Sequence, residues 1–255
     1  MTVVDDGEAH APAGQEAGWW SEALGHEMHL RVYGHSGRPV VAFPSQDGRF
    51  WDWEGFGMVD ACAELLAAGR LRLVTIDGID RQSWTRGDAP PGDRARRHEA
   101  YDRYLVGELF PYLRELTGWQ TGWVAGASMG AYHAANFLFR HPDLADGLVA
   151  MSGIYRVRMW VGDHMDDAVY YNDPLAYLPG LDDPWYLERI RAAKLAIVVG
   201  QGAWEEPMIE DTQALAEVLE SKGIHAIVDF WGQDVDHDWP WWRLMLPYYL
   251  ERLGV

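Results

Sequence analysis

A chain of 255 residues has the length of one large α/β domain, and its 48% hydrophobic and 24% charged residues are the composition of a folded protein, which excludes a wholly disordered one. The 39 acidic against 21 basic residues give a formal charge of −18 that repels phosphate backbones and anionic lipid, so nucleic acid is not expected as a partner. One cysteine, Cys62, excludes an intramolecular disulfide and a zinc site built from several thiolates.

The first 18 residues, MTVVDDGEAHAPAGQEAG, are small, polar and acidic, a composition that does not repay the entropy of ordering, so a loose tail is expected over 1–18 and one domain over 19–255. The tail has neither the basic start nor the apolar core of a secretory signal, and no apolar run reaches the ~18 residues that span a bilayer. The expectation is a cytoplasmic protein with no membrane contact. HEMHLRVY (26–33) and PVVAF (39–43) read as two strands around the turn GHSGR, hence a hairpin. MVDACAELLAAG (58–69) places Met58, Cys62, Leu65 and Leu66 on one helical face and closes on Gly69. LRLVTID from Leu71 is an apolar strand, and residues 94–117 carry apolar side chains at helical spacing, with a break expected before Pro111.

GWVAG from Gly122 is then a strand, 131–140 a helix, and GLVAMSG from Gly147 another strand. LAIVVG from Leu195, the helix DTQALAEVLESKG, the strand HAIVDFWG from His225 and a helix over 240–253 complete the alternation. Apolar strands alternating with amphipathic helices predict an α/β fold, a mostly parallel sheet with helices on both faces. Residues 154–191 interrupt it with an aromatic, acidic stretch holding no clean strand, and a long insert of this kind is expected to act as a lid.

The sequence Gly126-Ala127-Ser128-Met129-Gly130 lies between a strand and a helix. A serine at such a turn is held in a strained conformation with its hydroxyl presented at the carboxyl edge of the sheet, and the Met129 amide at the helix start can donate to an oxyanion. A serine hydroxyl needs a base, and the base an acid that fixes its tautomer, in the chain order Ser, acid, His. His237, in the loop WGQDVDHDWP before the last helix, is the candidate base; His225 opens a strand and is expected at the sheet edge. Glu205 and Glu206 are the carboxylates in the loop GQGAWEEP after the penultimate strand, with Glu206 slightly preferred. Asp234, Asp236 and Asp238 are alternatives, Asp238 being better placed to cap the helix that Pro240 begins.

The loop PSQDGRFWDWEGF offers the Gln46 amide as second oxyanion donor, with Ser45 as alternate. Trp51, Trp53, Trp160 and Tyr170 are candidates to line an aromatic acyl pocket. The cluster Asp163, His164, Asp166 and Asp167 matches neither a calcium loop nor a zinc helix and is expected to be solvated, so no metal is expected. His133 is expected as a satisfied core histidine, and His98, in the basic run RARRHEAYDRYL, on a solvated face.

With GASMGAYHA and its following HPD, MSG, GQGAWEEP and HDWPWW in place, residues 25–253 resemble the esterase family of α/β hydrolases that includes S-formylglutathione hydrolases and secreted mycolyltransferases. The resemblance implies an α/β-hydrolase fold and a triad of Ser128, Glu206 or Glu205, and His237. Glu stands here where Asp is common, and the acid loop is longer than in many relatives. The expected activity is hydrolysis of a small-molecule carboxylic ester through an acyl-enzyme, on short or aryl acyl groups and without a cofactor. Alternatives are acyl transfer by the same triad and a non-catalytic binding protein of this fold. Oligomeric state is not legible in the sequence.

Overall fold

The computed structural model describes residues 11–255. Of the expected tail, residues 1–10 lie outside the described residues, and the last four belong to a strand. β1 (Gln15–Ser21) pairs antiparallel with β2 (His26–Tyr33), Trp19 opposite Met28. The ordered domain therefore begins before Trp19. Gln15, Glu16, Ala17 and Gly18 have little strand propensity of their own, and the cross-strand pairing with β2 supplies what the local sequence lacks.

Eight strands form one sheet in the order β1-β2-β4-β3-β5-β6-β7-β8. β3 (Arg38–Phe43), β4 (Leu71–Ile76), β5 (Gly122–Ala127), β6 (Ala145–Met151), β7 (Lys194–Val199) and β8 (Ile227–Phe230) run parallel, while β2 is antiparallel to both β1 and β4. The expected hairpin between β2 and β3 does not form, because β4 lies between them. β3 is buried at five of its six positions, and a strand apolar on both faces belongs inside a parallel sheet, here between β4 and β5. The hairpin that does form joins β1 to β2.

The helices are α1 (Asp52–Gly55), α2 (Ala63–Ala67), α3 (Pro91–Tyr104), α4 (Phe110–Thr117), α5 (Met129–Arg140), α6 (Arg158–Val161), α7 (Asp167–Tyr170), α8 (Pro174–Tyr177), α9 (Pro184–Ala192), α10 (Glu206–Ser221) and α11 (Trp239–Leu253). Two cores sandwich the sheet. One packs Leu109, Leu113, Phe137, Ile190 and Leu215 against one face; the other packs Leu66, Met245, Leu246 and Tyr249 against the opposite face. Cys62 is buried in the second core, which pushes its thiol up to about 12. The break expected before Pro111 is a π-helical turn over Leu105–Leu109 that joins α3 to α4. No helix among the described residues is long and apolar enough to cross a membrane.

The insert at 154–191 holds no strand but is more ordered than its sequence suggests, for α6 to α9 occupy it. Asp166, Asp173 and Asp183 each accept a backbone N–H at a helix start, and Pro174 and Pro184 follow two of those caps directly. The Asp173-Pro174 and Asp183-Pro184 pairs are thus helix starts. The insert is tied to α5 through polar contacts: the Tyr132 hydroxyl donates to the Asn172 carbonyl at 2.8 Å, and the Tyr177 hydroxyl donates to Asn136 Oδ1 at 3.1 Å.

Candidate active site

Ser128 stands between β5 and α5 with φ 58° and ψ −125°, a left-handed backbone that an ordinary residue adopts only when its surroundings enforce it. The Ser128 N–H donates to the Met151 carbonyl on β6 at 2.9 Å, and α5 leaves in the opposite direction under the sheet edge. That sharp reversal requires Gly126. A Cβ there would lie 2.0 Å from the Gly130 carbonyl oxygen, so any side chain would push the helix away from the strand. Ser128 itself is half-buried, with its hydroxyl at the carboxyl edge of the sheet.

His237 Nε2 is 2.8 Å from Ser128 Oγ, and His237 Nδ1 is 3.2 Å from Glu205 Oε2. A carboxylate only accepts, so Nδ1 carries the proton toward Glu205 and Nε2 presents its lone pair to the serine hydroxyl. Glu205 is fully buried, and its other oxygen, Oε1, accepts the Ser152 hydroxyl at 2.5 Å and the Gly200 N–H at 3.3 Å. Ser152 in turn accepts the Trp242 indole N–H at 3.1 Å, while the Trp242 ring stands edge-on to His237 with centroids 5.0 Å apart. A buried carboxylate with hydrogen-bond partners on both oxygens is held in place.

The two loops that deliver Glu205 and His237 are joined by backbone hydrogen bonds. The Gly202 N–H donates to the Val235 carbonyl at 2.9 Å and the His237 N–H to the Ala203 carbonyl at 3.0 Å, while Asp236 accepts the Ala203 N–H at 2.7 Å. Gly200 permits the approach, since a Cβ there would lie 2.2 Å from the Val235 carbonyl oxygen. Asp238 caps α11 by accepting the Trp239 N–H at 2.7 Å, so the aspartates around His237 shape its loop and do not reach its ring nitrogens.

The preference for Glu206 is therefore corrected: Glu206 is exposed at the start of α10, and Glu205 is the carboxylate on His237. Trp204 causes the difference. Its left-handed φ of 70° turns its own side chain out, 78% exposed, and the next one in.

Met129 is the first residue of α5, where an amide has no intrahelical acceptor. The loop bearing Ser45 and Gln46 lies alongside, for the Ser45 hydroxyl donates to the Ala127 carbonyl at 3.1 Å and Gln46 is exposed. Both candidate donors thus stand at the edge that presents Ser128.

The four aromatic candidates do not converge. Trp53 is 1% exposed and donates its indole N–H to the Phe43 carbonyl at 3.1 Å, which makes it core. Trp160, on α6 of the insert, stacks on Trp84 and tilts against Tyr132. Tyr170 lines a cavity of about 400 Å³ with Phe139, Arg140 and His141, at the end of α5 remote from Ser128. Trp51 is exposed and lies against Arg49. Sequence reasoning missed Ser152 and Trp242 as supports of the acid; the only signals were the MSG after β6 and the last tryptophan of the WPWW run. Phe56 and Trp239, stacked at 4.4 Å beside Trp242, form an aromatic pair that the sequence did not single out.

The acidic cluster of the insert binds its own neighbours, Asp163 to Arg158 and Asp166 to His164 and the Val169 N–H. Among the described residues no group of three or more potential ligands is arranged for a metal ion. His225 is exposed.

A family model described as "Putative esterase" matches residues 21–253. Among curated proteins, none matches the sequence. A ferulic acid esterase of Anaeromyces mucronatus in complex with ferulic acid is similar in structure, with a TM-score of 0.72 at 14% identity over 96% of this chain and 91% of that one. S-formylglutathione hydrolase (FrmB) from Staphylococcus aureus gives 0.69 at 13% over 96% and 98%. MPT51 (FbpC1) of Mycobacterium tuberculosis gives 0.68 at 16% over 96% and 99%. At such identities the likeness is one of fold, and it is the α/β-hydrolase fold.

Proposed function

The chain belongs to this esterase family, an assignment that supports ester hydrolysis, and on that premise we propose that it is a serine carboxylic ester hydrolase working through an acyl-enzyme. The observation that carries the proposal is the continuous hydrogen-bonded line from Ser128 Oγ through His237 to the buried Glu205.

In this reading Ser128 Oγ attacks the ester carbonyl carbon while its proton passes to His237 Nε2, and Glu205 stabilises the resulting imidazolium. The Met129 and Gln46 amides hold the oxyanion of the tetrahedral intermediate. Collapse breaks the bond to the alcohol, which leaves with the proton from His237. Water then gives a proton to His237 and its oxygen to the acyl carbon, and the second collapse returns the serine and releases the acid. His237 carries every proton in this cycle, so the chemistry calls on no cofactor.

Substrates are short or aryl esters. The exposed Phe56 ring, stacked on Trp239 next to the Trp242 that stands against His237, suits a planar group, and a protein of the same fold binds ferulic acid, an aromatic acid. A fluorophosphonate probe is expected to label the protein at Ser128, with labelling abolished in Ser128→Ala; an unlabelled wild type contradicts the proposal. Dodecanoyl nitrophenyl ester turned over faster than butyryl would contradict the substrate range.

A further inference from the structure

Asp80 lies in the turn that follows β4 and is 2% exposed. Its two carboxylate oxygens serve two different parts of the site. Oδ1 accepts the Nε2–H of His133 at 2.9 Å, and Oδ2 accepts the backbone N–H of Asp47 at 3.0 Å. His133 is buried in α5, five residues after Ser128 and four after Met129. Asp47 directly follows Gln46. One side chain therefore links the helix that carries the first oxyanion amide to the loop that carries the second.

Asp47 is itself constrained. Its φ of 59° is left-handed, and its carboxylate Oδ1 accepts the Thr85 hydroxyl at 2.6 Å. Thr85 and Asp80 belong to one closed turn, since the N–H groups of Ser83 and Thr85 donate to the Asp80 carbonyl at 2.9 and 3.0 Å. The far end of the same loop is tied by Asp77, which accepts the Phe50 N–H at 3.2 Å and the Arg49 guanidinium at 2.6 Å. Asp80 is the carboxylate that holds the loop next to Gln46.

We infer that Asp80 is a positioning residue for the oxyanion site, clasping the 45–48 loop to α5 through His133 and Asp47. The inference rests on the proposed reading of Ser128 as nucleophile. Oxyanion donors act only when placed at hydrogen-bond distance from the developing charge, and a displacement of about 1 Å costs as much as a hundredfold in rate. Releasing the loop from α5 separates the two amides and leaves substrate binding by the rest of the site intact.

The test compares Asp80→Ala with Asp80→Asn on a short nitrophenyl ester. Asp80→Ala is expected to lower kcat by about tenfold to a hundredfold with KM within about twofold, and to weaken inhibition by an aryl trifluoromethyl ketone, whose hemiketal oxyanion uses the same donors, by a similar factor. Asp80→Asn restores most of the rate: its amide oxygen accepts from Asp47 while its NH2 donates to the other tautomer of His133. A folded Asp80→Ala with wild-type kcat and ketone affinity, or with a change in KM alone, overturns the inference. Should Asp80→Ala not fold, His133→Phe cuts the arm to α5 and Asp80→Ser shortens the clasp at its centre, and wild-type kcat in both overturns the inference. Inactivity of the wild type would instead refute the esterase reading. Amide exchange over residues 45–48 then reads the clasp alone, with faster exchange in the loosened variants expected and unchanged exchange overturning it.

Discussion

Glu205 and Glu206 are neighbours in sequence and opposites in environment. Glu205 is fully buried with donors on both oxygens; Glu206 begins a helix in solvent. Glu205→Gln is expected to lower turnover on the order of a hundredfold or more, because a neutral amide neither stabilises the imidazolium nor enforces the right tautomer. Glu206→Gln should change it by less than about twofold, since the exposed carboxylate holds nothing at the site. Steady-state kinetics of the two variants checks this, and equal, mild effects would contradict the assignment. That Ser128 and His237 would be brought together was legible because each lies in a local pattern, the glycine-flanked turn and the loop before the last helix. The choice between adjacent glutamates was not, because it turns on the backbone of Trp204, whose φ of 70° no composition or spacing announces. Ser152 was equally silent: it is one hydroxyl after a strand until the fold brings Glu205 and Trp242 to it.

α3 illustrates how an element is misread. Its run of arginines suggests a solvated helix, yet Ala95, His98, Tyr101 and Asp102 form a buried face, and His98 is 4% exposed, stacked against His133 with ring centroids 5.2 Å apart. A histidine counted as polar breaks an apolar stripe that the structure completes. Burial, then the neighbouring His133 and Arg140, hold the His98 pKa well below the ordinary histidine value of 6.5. The unfolded chain therefore takes up a proton at His98 before the folded protein does. This part of stability is fully present above about pH 6.5 and is lost as the pH falls toward the depressed folded value. His98→Phe should flatten the decline in urea midpoint between about pH 7 and about pH 5 relative to the wild type; an equally steep decline would contradict it. Other elements were plain. β5 and β7 read correctly as buried parallel strands because short, unbroken apolar runs have few alternatives. The pairing of β2 was not plain, because which strand lies beside which is settled by burial of β3 on both faces and not by the turn that follows β2. Helices α6, α7 and α8 of the insert were hidden for a third reason, as four-residue helices are too short to show a period.

Across the whole molecule, one edge of the sheet gathers the chemistry. Ser128 follows β5, Ser152 follows β6, Glu205 follows β7 and His237 follows β8, while Gln46 and Asp80 follow β3 and β4. Parallel strands all end on the same side, so loops far apart in sequence converge where the helices begin, as ligand sites of open α/β sheets do. The two cores beneath keep these loops in register, and the glycines at 126 and 200 allow the close approaches that the convergence demands. The central claim is that this convergence makes an acyl-enzyme at Ser128. Its most direct test is the pre-steady-state time course of nitrophenol release from a short nitrophenyl ester by the wild type, Ser128→Ala and His237→Ala. Acylation through Ser128 predicts turnover in the wild type, with a burst stoichiometric with enzyme where deacylation is the slower step, and loss of both burst and turnover in the two variants. Undiminished turnover in Ser128→Ala, or a wild type that releases no nitrophenol, would contradict it.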